Sequence, residues 1–186
     1  MRKPRLPAER VAALLAYDPI TGVLTWRYRE DVAKQINTRF AGRTAGTRKR
    51  GEIQVCIQHN GKQRLYRGHH LAWAIMTGSW PAQDVDHRDA NPWNNAWSNL
   101  RLASPSDNRC NIPRVRGASG LRGVFFVKGC VRPYLAKIAR HGKQIVIGRF
   151  SNPQDAARAY DRAALKHHGE FAVTNEQLGL LEAVDA

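Results

Sequence analysis

The sequence predicts an α+β protein of two modules, and three observations carry the prediction. A short apolar strand ending in Asp86-His87 is followed by a turn, a second strand and a capped helix. Three strand-like runs between positions 122 and 150 precede one long amphipathic helix. Between the two patterns, Pro113 to Gly120 lacks apolar periodicity and is rich in Gly, Ser and Arg, which suits an exposed basic linker. The expected division is a first domain at 1–112, a linker at 113–120, a second domain at 121–175 and an acidic tail at 176–186.

In chain order, Pro7 to Ala16 reads as a helix and Val23 to Arg29 as a strand. Arg43 to Arg50 reads as a basic loop, open to two readings, a solvated charge run or a phosphate contact. Glu52 to Gln58 and Gln63 to Arg67 pair as a hairpin around Asn60-Gly61, a dipeptide suited to a tight β-turn. His69 to Thr77 is helical and stops at Gly78. Asp84 to His87 has strand character, Asn94-Asn95 favours a turn, and Ser98 to Leu102 returns as a strand. Ser104 then reads as an N-cap, with Pro105 in the first helical position and Asp107 as its capping-box partner. That places Asn108 on the first turn, pointing back toward the ribbon. The helix is short, because Pro113 disfavours a helical residue before it.

In the second module, Arg122 to Val127, Arg132 to Arg140 and Lys143 to Phe150 read as strands punctuated by Lys128-Gly129 and His141-Gly142. A helix follows at Pro153 to His168, with Ser151 and Gln154 expected as a capping box and Gly169 as its end. Ala156, Ala157, Tyr160, Ala163 and Ala164 share one face of it. Strand alternation turns Val124, Phe126, Ile138, Ile145 and Ile147 toward that helix. Phe125, Val127, Leu135, Lys137, Gln144 and Val146 then lie on the opposite face. Val173 to Ala186 reads as a weak capping helix or a frayed tail.

With 30 Lys and Arg against 15 Asp and Glu, the chain carries a formal charge of +15. A field of that sign favours nucleic acid over an anionic membrane surface. No apolar run approaches the roughly 18 residues of a spanning helix, and the first residues have no signal-peptide core, so an intracellular, cytoplasmic location in a bacterial or phage-infected host cell is expected. Cys56, Cys110 and Cys130 show no C-x-x-C spacing, and structural zinc is not expected. No heptad stripe is present, which points to a monomer or weak dimer with no implied protein partner.

The polar order of the central segment carries the chemistry. Asn99 lies twelve residues past His87, and Asn108 nine further on. A carboxylate and an amide oxygen are hard ligands, suited to Mg²⁺ or Mn²⁺ held with several waters. A neutral imidazole beside them can take a proton from water near neutral pH. Singly, Asp86, Asn99 or Asn108 reads as a turn or cap residue; together they read as a phosphodiester-hydrolysing set. Asp89, Asn91, Asn94 and Asn95 read as loop residues.

The segment resembles the H-N-H endonuclease family, in its phage-associated branch where asparagine replaces the last histidine. The resemblance extends through Asp18-Pro19-Ile20-Thr21-Gly22, Leu24-Thr25-Trp26 and His69-His70-Leu71-Ala72-Trp73. It implies a ββα-metal nuclease module in which Asp86 and Asn108 bind the metal, His87 activates water and Asn99 holds the ribbon and histidine in register. His69 falls on a histidine of the family pattern without a catalytic step of its own.

The second module resembles the plant ethylene-response-factor type of DNA-binding domain, through Arg122-Gly123-Val124, Ala136-Lys137-Ile138, Ile147-Gly148-Arg149-Phe150 and Ala156 to Asp161. That family usually carries arginines and a tryptophan on the free sheet face. The apolar residues here suit either contact with thymine methyls or packing against the nuclease half, which leaves only Arg122, Lys128, Arg132, Lys137 and Arg149 for phosphates. The expected function is a metal-dependent endonuclease of double-stranded DNA, nicking one strand, of phage or homing type. The alternatives are a non-enzymatic, sequence-preferring DNA-binding protein with a retained nuclease fold and, more distantly, an RNA-binding protein.

Overall fold

Helix α1 (Ala8–Leu14) buries Ala8, Val11 and Leu14, at the spacing that puts apolar residues on one face. The structure is a computed structural model that describes residues 6–115 and 117–182. The chain divides into two compact units, Met1–Ala103 and Ser104–Ala186. In the first, β1 (Leu15–Tyr17) and β2 (Leu24–Trp26) pair antiparallel across the Asp18–Gly22 turn. Asp18 shapes that turn by accepting from the Ile20 amide and the Thr21 hydroxyl at 2.9 and 2.6 Å.

Helix α2 (Lys34–Phe40) lies outside the expected elements; Ile36 and Phe40 stand one turn apart on it, Phe40 edge-on to Trp26, and its anchor is the buried Asn37, which donates to the Arg29 carbonyl and accepts the Arg29 amide. The run at 43–50, expected as a loop, is partly strand: β3 (Thr47–Lys49) pairs with β4 (Glu52–His59), and Thr44 bridges to Thr25. Pairing with a neighbouring strand overrides the weak β preference of its charged residues. Strands β4 and β5 (Lys62–Arg67) form the expected hairpin, and α3 (Gly68–Thr77) ends at a left-handed Gly78. Val11, Leu14, Leu15, Leu24, Val55, Ile57 and Leu71 make this unit's main core.

The second unit opens with α4 (Pro105–Cys110), whose expected capping box is present: Ser104 accepts from the Asp107 amide, and the Asp107 carboxylate accepts from the Ser104 amide. Strands β8 (Val124–Phe126), β9 (Tyr134–Arg140) and β10 (Lys143–Phe150) form an antiparallel sheet in the order β10-β9-β8, with a bulge between Val146 and Gly148. Helix α5 (Pro153–His168) packs on it through Ala156, Ala157, Tyr160 and Ala164. Its N-cap is Asn152, whose side chain accepts from the Gln154 amide, in place of the expected Ser151.

The inward set needs two corrections. Ile138 on the central strand is 3% exposed, while its cross-strand partner Ile145 is 37% and Phe126 on the other edge is 53% exposed. A single helix is only about as wide as two strand spacings, so it covers the middle strand and leaves both edges partly open.

Residues 173–182 close this unit instead of fraying, whereas 183–186 lie outside the described residues. Asn175 is fully buried. Its carboxamide accepts from the Arg122 amide at 2.6 Å and donates to the Arg122 carbonyl and to Asp161 at 3.1 and 2.8 Å. Asn175→Ala strands several of these buried groups, each worth about 1–3 kcal/mol when unsatisfied. Hydrogen exchange of the β9 amides should therefore accelerate roughly ten- to a hundredfold. Unchanged exchange would show that Asn175 closes nothing.

Candidate functional site

The ribbon is β6 (Asp84–His87) paired with β7 (Leu100–Ala103) in the register Asp86↔Arg101 and His87↔Leu100. A single 3-10 turn at Trp97–Asn99 precedes β7 and takes up the start of the strand expected at Ser98. Val85 and Leu100 pack on Ala72 of α3, with the Trp73 and Trp97 rings tilted against each other beside them, their centroids 5.0 Å apart. Asp86 and Arg101 lie directly opposite each other, and the Arg101 Nε and a terminal nitrogen approach one Asp86 oxygen at 3.0 and 2.9 Å. The guanidinium is buried and the carboxylate partly so, which holds Asp86 in one orientation.

His87 is 7% exposed, and its Nε2 lies 2.9 Å from Oδ1 of Asn95, itself 1% exposed. The His69 ring meets His87 edge to face at 5.0 Å between centroids, and His70 packs against His69 at 4.6 Å. His69 is therefore a neighbour of the candidate base. Burial, reinforced by His70, His87 and Arg67, pushes its pKa from 6.5 down to about 2, and its Nδ1 is buried with no hydrogen-bond partner among the described residues.

Asn99 is buried at the root of the loop between the strands. Its Oδ1 accepts the Asp89 amide at 3.0 Å, and its Nδ2 donates to the Asp89 carboxylate and the Asn94 carbonyl, each at 2.8 Å. Its carbonyl accepts the Arg88 amide at 2.9 Å. These bonds tie residues 88–94 to the ribbon. Asp89, Asn91 and Asn94 each accept a backbone amide two residues on, as turn residues do.

Asn108 sits on α4 in the second unit, its amide donating to the Ser104 carbonyl. Of the residues expected at DNA, Lys128, Arg132 and Arg149 are exposed and Lys137 is half-buried, its Nζ 4.3 Å from the Phe125 ring centroid. Arg122 departs from that group. It is 9% exposed, and its guanidinium donates to the carbonyls of Cys110 and Ile112 at 2.9 and 2.5 Å and to the Tyr160 hydroxyl at 3.1 Å. Its charge serves the module's own backbone.

Residues 66–110 match the HNH endonuclease family model. That span contains His69, Asp86, His87, Asn99 and Asn108. Among curated proteins, the chain is 32% identical over 117 residues to an uncharacterized HNH endonuclease of Acanthamoeba polyphaga mimivirus, covering 62% of this chain and 59% of that protein. It is 39% identical over 108 residues to Protein 3.8 of Escherichia phage T7, covering 57% of this chain and 88% of that protein. The chain belongs to the same family as that phage protein. No solved structure matches. The HNH domain thus contains every residue of the expected catalytic and metal set, and the module after it has no counterpart in the matched family model.

The two expected metal ligands, Asp86 in the first unit and Asn108 in the second, carry hard oxygen donors of the kind that Mg²⁺ or Mn²⁺ takes. Among the described residues, no group of three or more His, Cys, Asp or Glu side chains is gathered as for a closed metal cage. No helix there is long and apolar enough to cross a membrane.

Two residues of the site were not singled out in the sequence. Arg101 carried no signal beyond its place opposite Asp86. Asn95 has the local signature of a loop residue, although Trp93 and Trp97 on either side mark a segment with reason to be buried.

The depressed His69 gives a signed pH effect. In the unfolded chain this ring titrates near its ordinary 6.5, whereas the folded form stays neutral to about 2. The unfolded state therefore binds a proton that the folded state refuses, and stability falls as pH drops from 6.5 toward 2. Above 6.5 the ring contributes no pH dependence. His69→Phe should flatten the loss of urea-midpoint stability between pH 7.5 and 4.5; an unaltered slope would contradict it.

Proposed function

We propose that the protein is a divalent-metal-dependent endonuclease that hydrolyses phosphodiester bonds of double-stranded DNA, cutting one strand per encounter. The observation that carries this reading is the buried His87 beside an Arg101-anchored Asp86, inside the segment that matches the HNH model. In this reading Asp86 and Asn108 hold the ion and Asn99 fixes the ribbon. A bound Mg²⁺ or Mn²⁺ supplies Lewis-acid polarisation of the scissile phosphate and stabilises charge on the departing 3′ oxygen. His87 takes a proton from water, the oxygen bonds to phosphorus, and the bond to the 3′ oxygen breaks.

One Asp86-His87 pair, one Asn108 and no repeat of that unit in the sequence favour a nick over a double-strand break. The second unit is read as an ethylene-response-factor-like DNA-binding module. Its support is a three-stranded sheet with α5 on one face and, between 122 and 170, ten Lys and Arg against three Asp and Glu. With Arg122 committed internally, Lys128, Arg132, Lys137 and Arg149 remain as the phosphate contacts.

The deciding experiment is incubation of purified protein with supercoiled plasmid and Mg²⁺ or Mn²⁺. Open-circular DNA should accumulate before linear, and chelator should abolish cutting. His87→Ala should slow cutting by roughly 10²- to 10⁴-fold with DNA binding nearly intact. Equal cutting by wild type and His87→Ala would sink the assignment.

Binding should also respond to the second unit's charge. Combining Lys128→Ala, Arg132→Ala and Arg149→Ala in the full chain should weaken binding and lower the log–log salt slope by about 0.9 for each phosphate that is no longer neutralised. An unchanged slope would mean that these residues do not touch DNA.

A further inference from the structure

We propose that Asn95 is a positioning residue for His87: its carboxamide oxygen accepts a hydrogen bond from Nε2–H, fixing the ring tautomer whose lone pair lies on Nδ1, the nitrogen that takes the proton from water. This deepens the endonuclease reading and rests on His87 being its base. A carboxamide oxygen only accepts, so at 2.9 Å from it Nε2 must carry the proton.

Three features of the fold hold that oxygen in place. The Tyr17 hydroxyl donates to the Asn95 carbonyl at 2.7 Å, and the Trp97 amide donates to the Pro19 carbonyl at 2.9 Å, so the β1–β2 turn grips the segment from one side. Gly22 permits that approach: with φ of +73°, any Cβ there would lie 2.3 Å from the Asn95 carbonyl carbon and 2.4 Å from the Ala96 nitrogen. On the other side, a Cβ on Gly68 would lie 2.9 Å from Asn95 Nδ2. The seat admits one carboxamide in one position, directed at one imidazole.

Packing alone does not explain an asparagine here. Asn95 Nδ2 is buried with no hydrogen-bond partner among the described residues, a burden on stability that an apolar side chain of similar size would remove. The oxygen of the same group makes the contact with His87. A polar residue retained against its own burial penalty and aimed at a base fits positioning better than filling.

The test is proton placement read by long-range ¹H–¹⁵N spectra of the metal-free full chain, labelled at histidine, near neutral pH. The wild-type His87 should show a protonated Nε2 and an unprotonated Nδ1. Asn95→Ala should mix the two tautomers and lower kcat by about ten- to a hundredfold, the usual reach of a residue that orients a functional histidine, with KM little changed. Asn95→Asp, which keeps an oxygen facing Nε2, should restore the Nε2–H signature and recover part of the turnover. A wild-type ring protonated on Nδ1 overturns the proposal, because the carboxamide would then be donating. An Asn95→Ala protein with an unmixed Nε2–H ring and full turnover overturns it as well. If Asn95→Ala does not fold, the wild-type and Asn95→Asp spectra decide. His87→Ala cutting as fast as wild type would instead sink the endonuclease reading and leave the tautomer result standing.

Discussion

The buried contact between His87 and Asn95 is the constraint around which the first unit is organised. Imidazole and carboxamide are both costly to bury, and the bond between them offsets part of that cost while Asn95 Nδ2 stays without a partner among the described residues. Several otherwise separate features converge on that pair. The Asp18–Gly22 turn delivers Tyr17 and Pro19 to the Asn95–Trp97 backbone, Gly68 opens α3 beside the carboxamide, and His69 closes over the His87 ring. The N-terminal turn and the ribbon are 60 or more residues apart in sequence, yet each makes sense only in the presence of the other.

A second buried polar knot does comparable work in the C-terminal unit. Asp161 accepts the Asn175 amide, the Asn175 carboxamide and the Glu176 amide at 2.8, 2.8 and 3.1 Å, while Asn175 brackets the Arg122 backbone. Arg122 then extends its guanidinium to the carbonyls of residues 110 and 112. The chain from α4 to the residues beyond α5 is thereby joined through three side chains. A helix lying on a small sheet buries few large apolar groups, mostly alanines and Tyr160 on its side, so satisfied polar bonds carry more of the closure.

What was legible in the sequence divides along physical lines. Elements set by local rules were read closely: the box on Ser104, the hairpin at Asn60-Gly61, the stop at Gly78 and the helix at Pro153–His168 depend on neighbours a few residues away. Helix α2 and strand β3 depend on partners farther off, Arg29 for Asn37 and β4 for Thr47, and their short runs carry only a weak local signal. The same distinction holds in the site. Asp86, His87, Asn99 and Asn108 stood out because their spacing is itself a pattern. The roles of Asn95, Arg101 and Arg122 lie in contacts that a linear reading does not contain. The charge of Arg122 is visible in the sequence and its burial is not.

The pairing of Asp86 with Arg101 places a carboxylate and its counter-charge on facing strands of one ribbon. The Arg101 Nε and a terminal nitrogen approach Oδ2 of Asp86 from the partner strand of the ribbon. The ion pair offsets the local negative charge while holding the carboxylate in one orientation. Because Arg101 is buried and faces Asp86 in register, this compensation is built into the ribbon and does not rely on a surface cation that salt would screen. The same strand pair that presents the carboxylate therefore supplies the charge that compensates it.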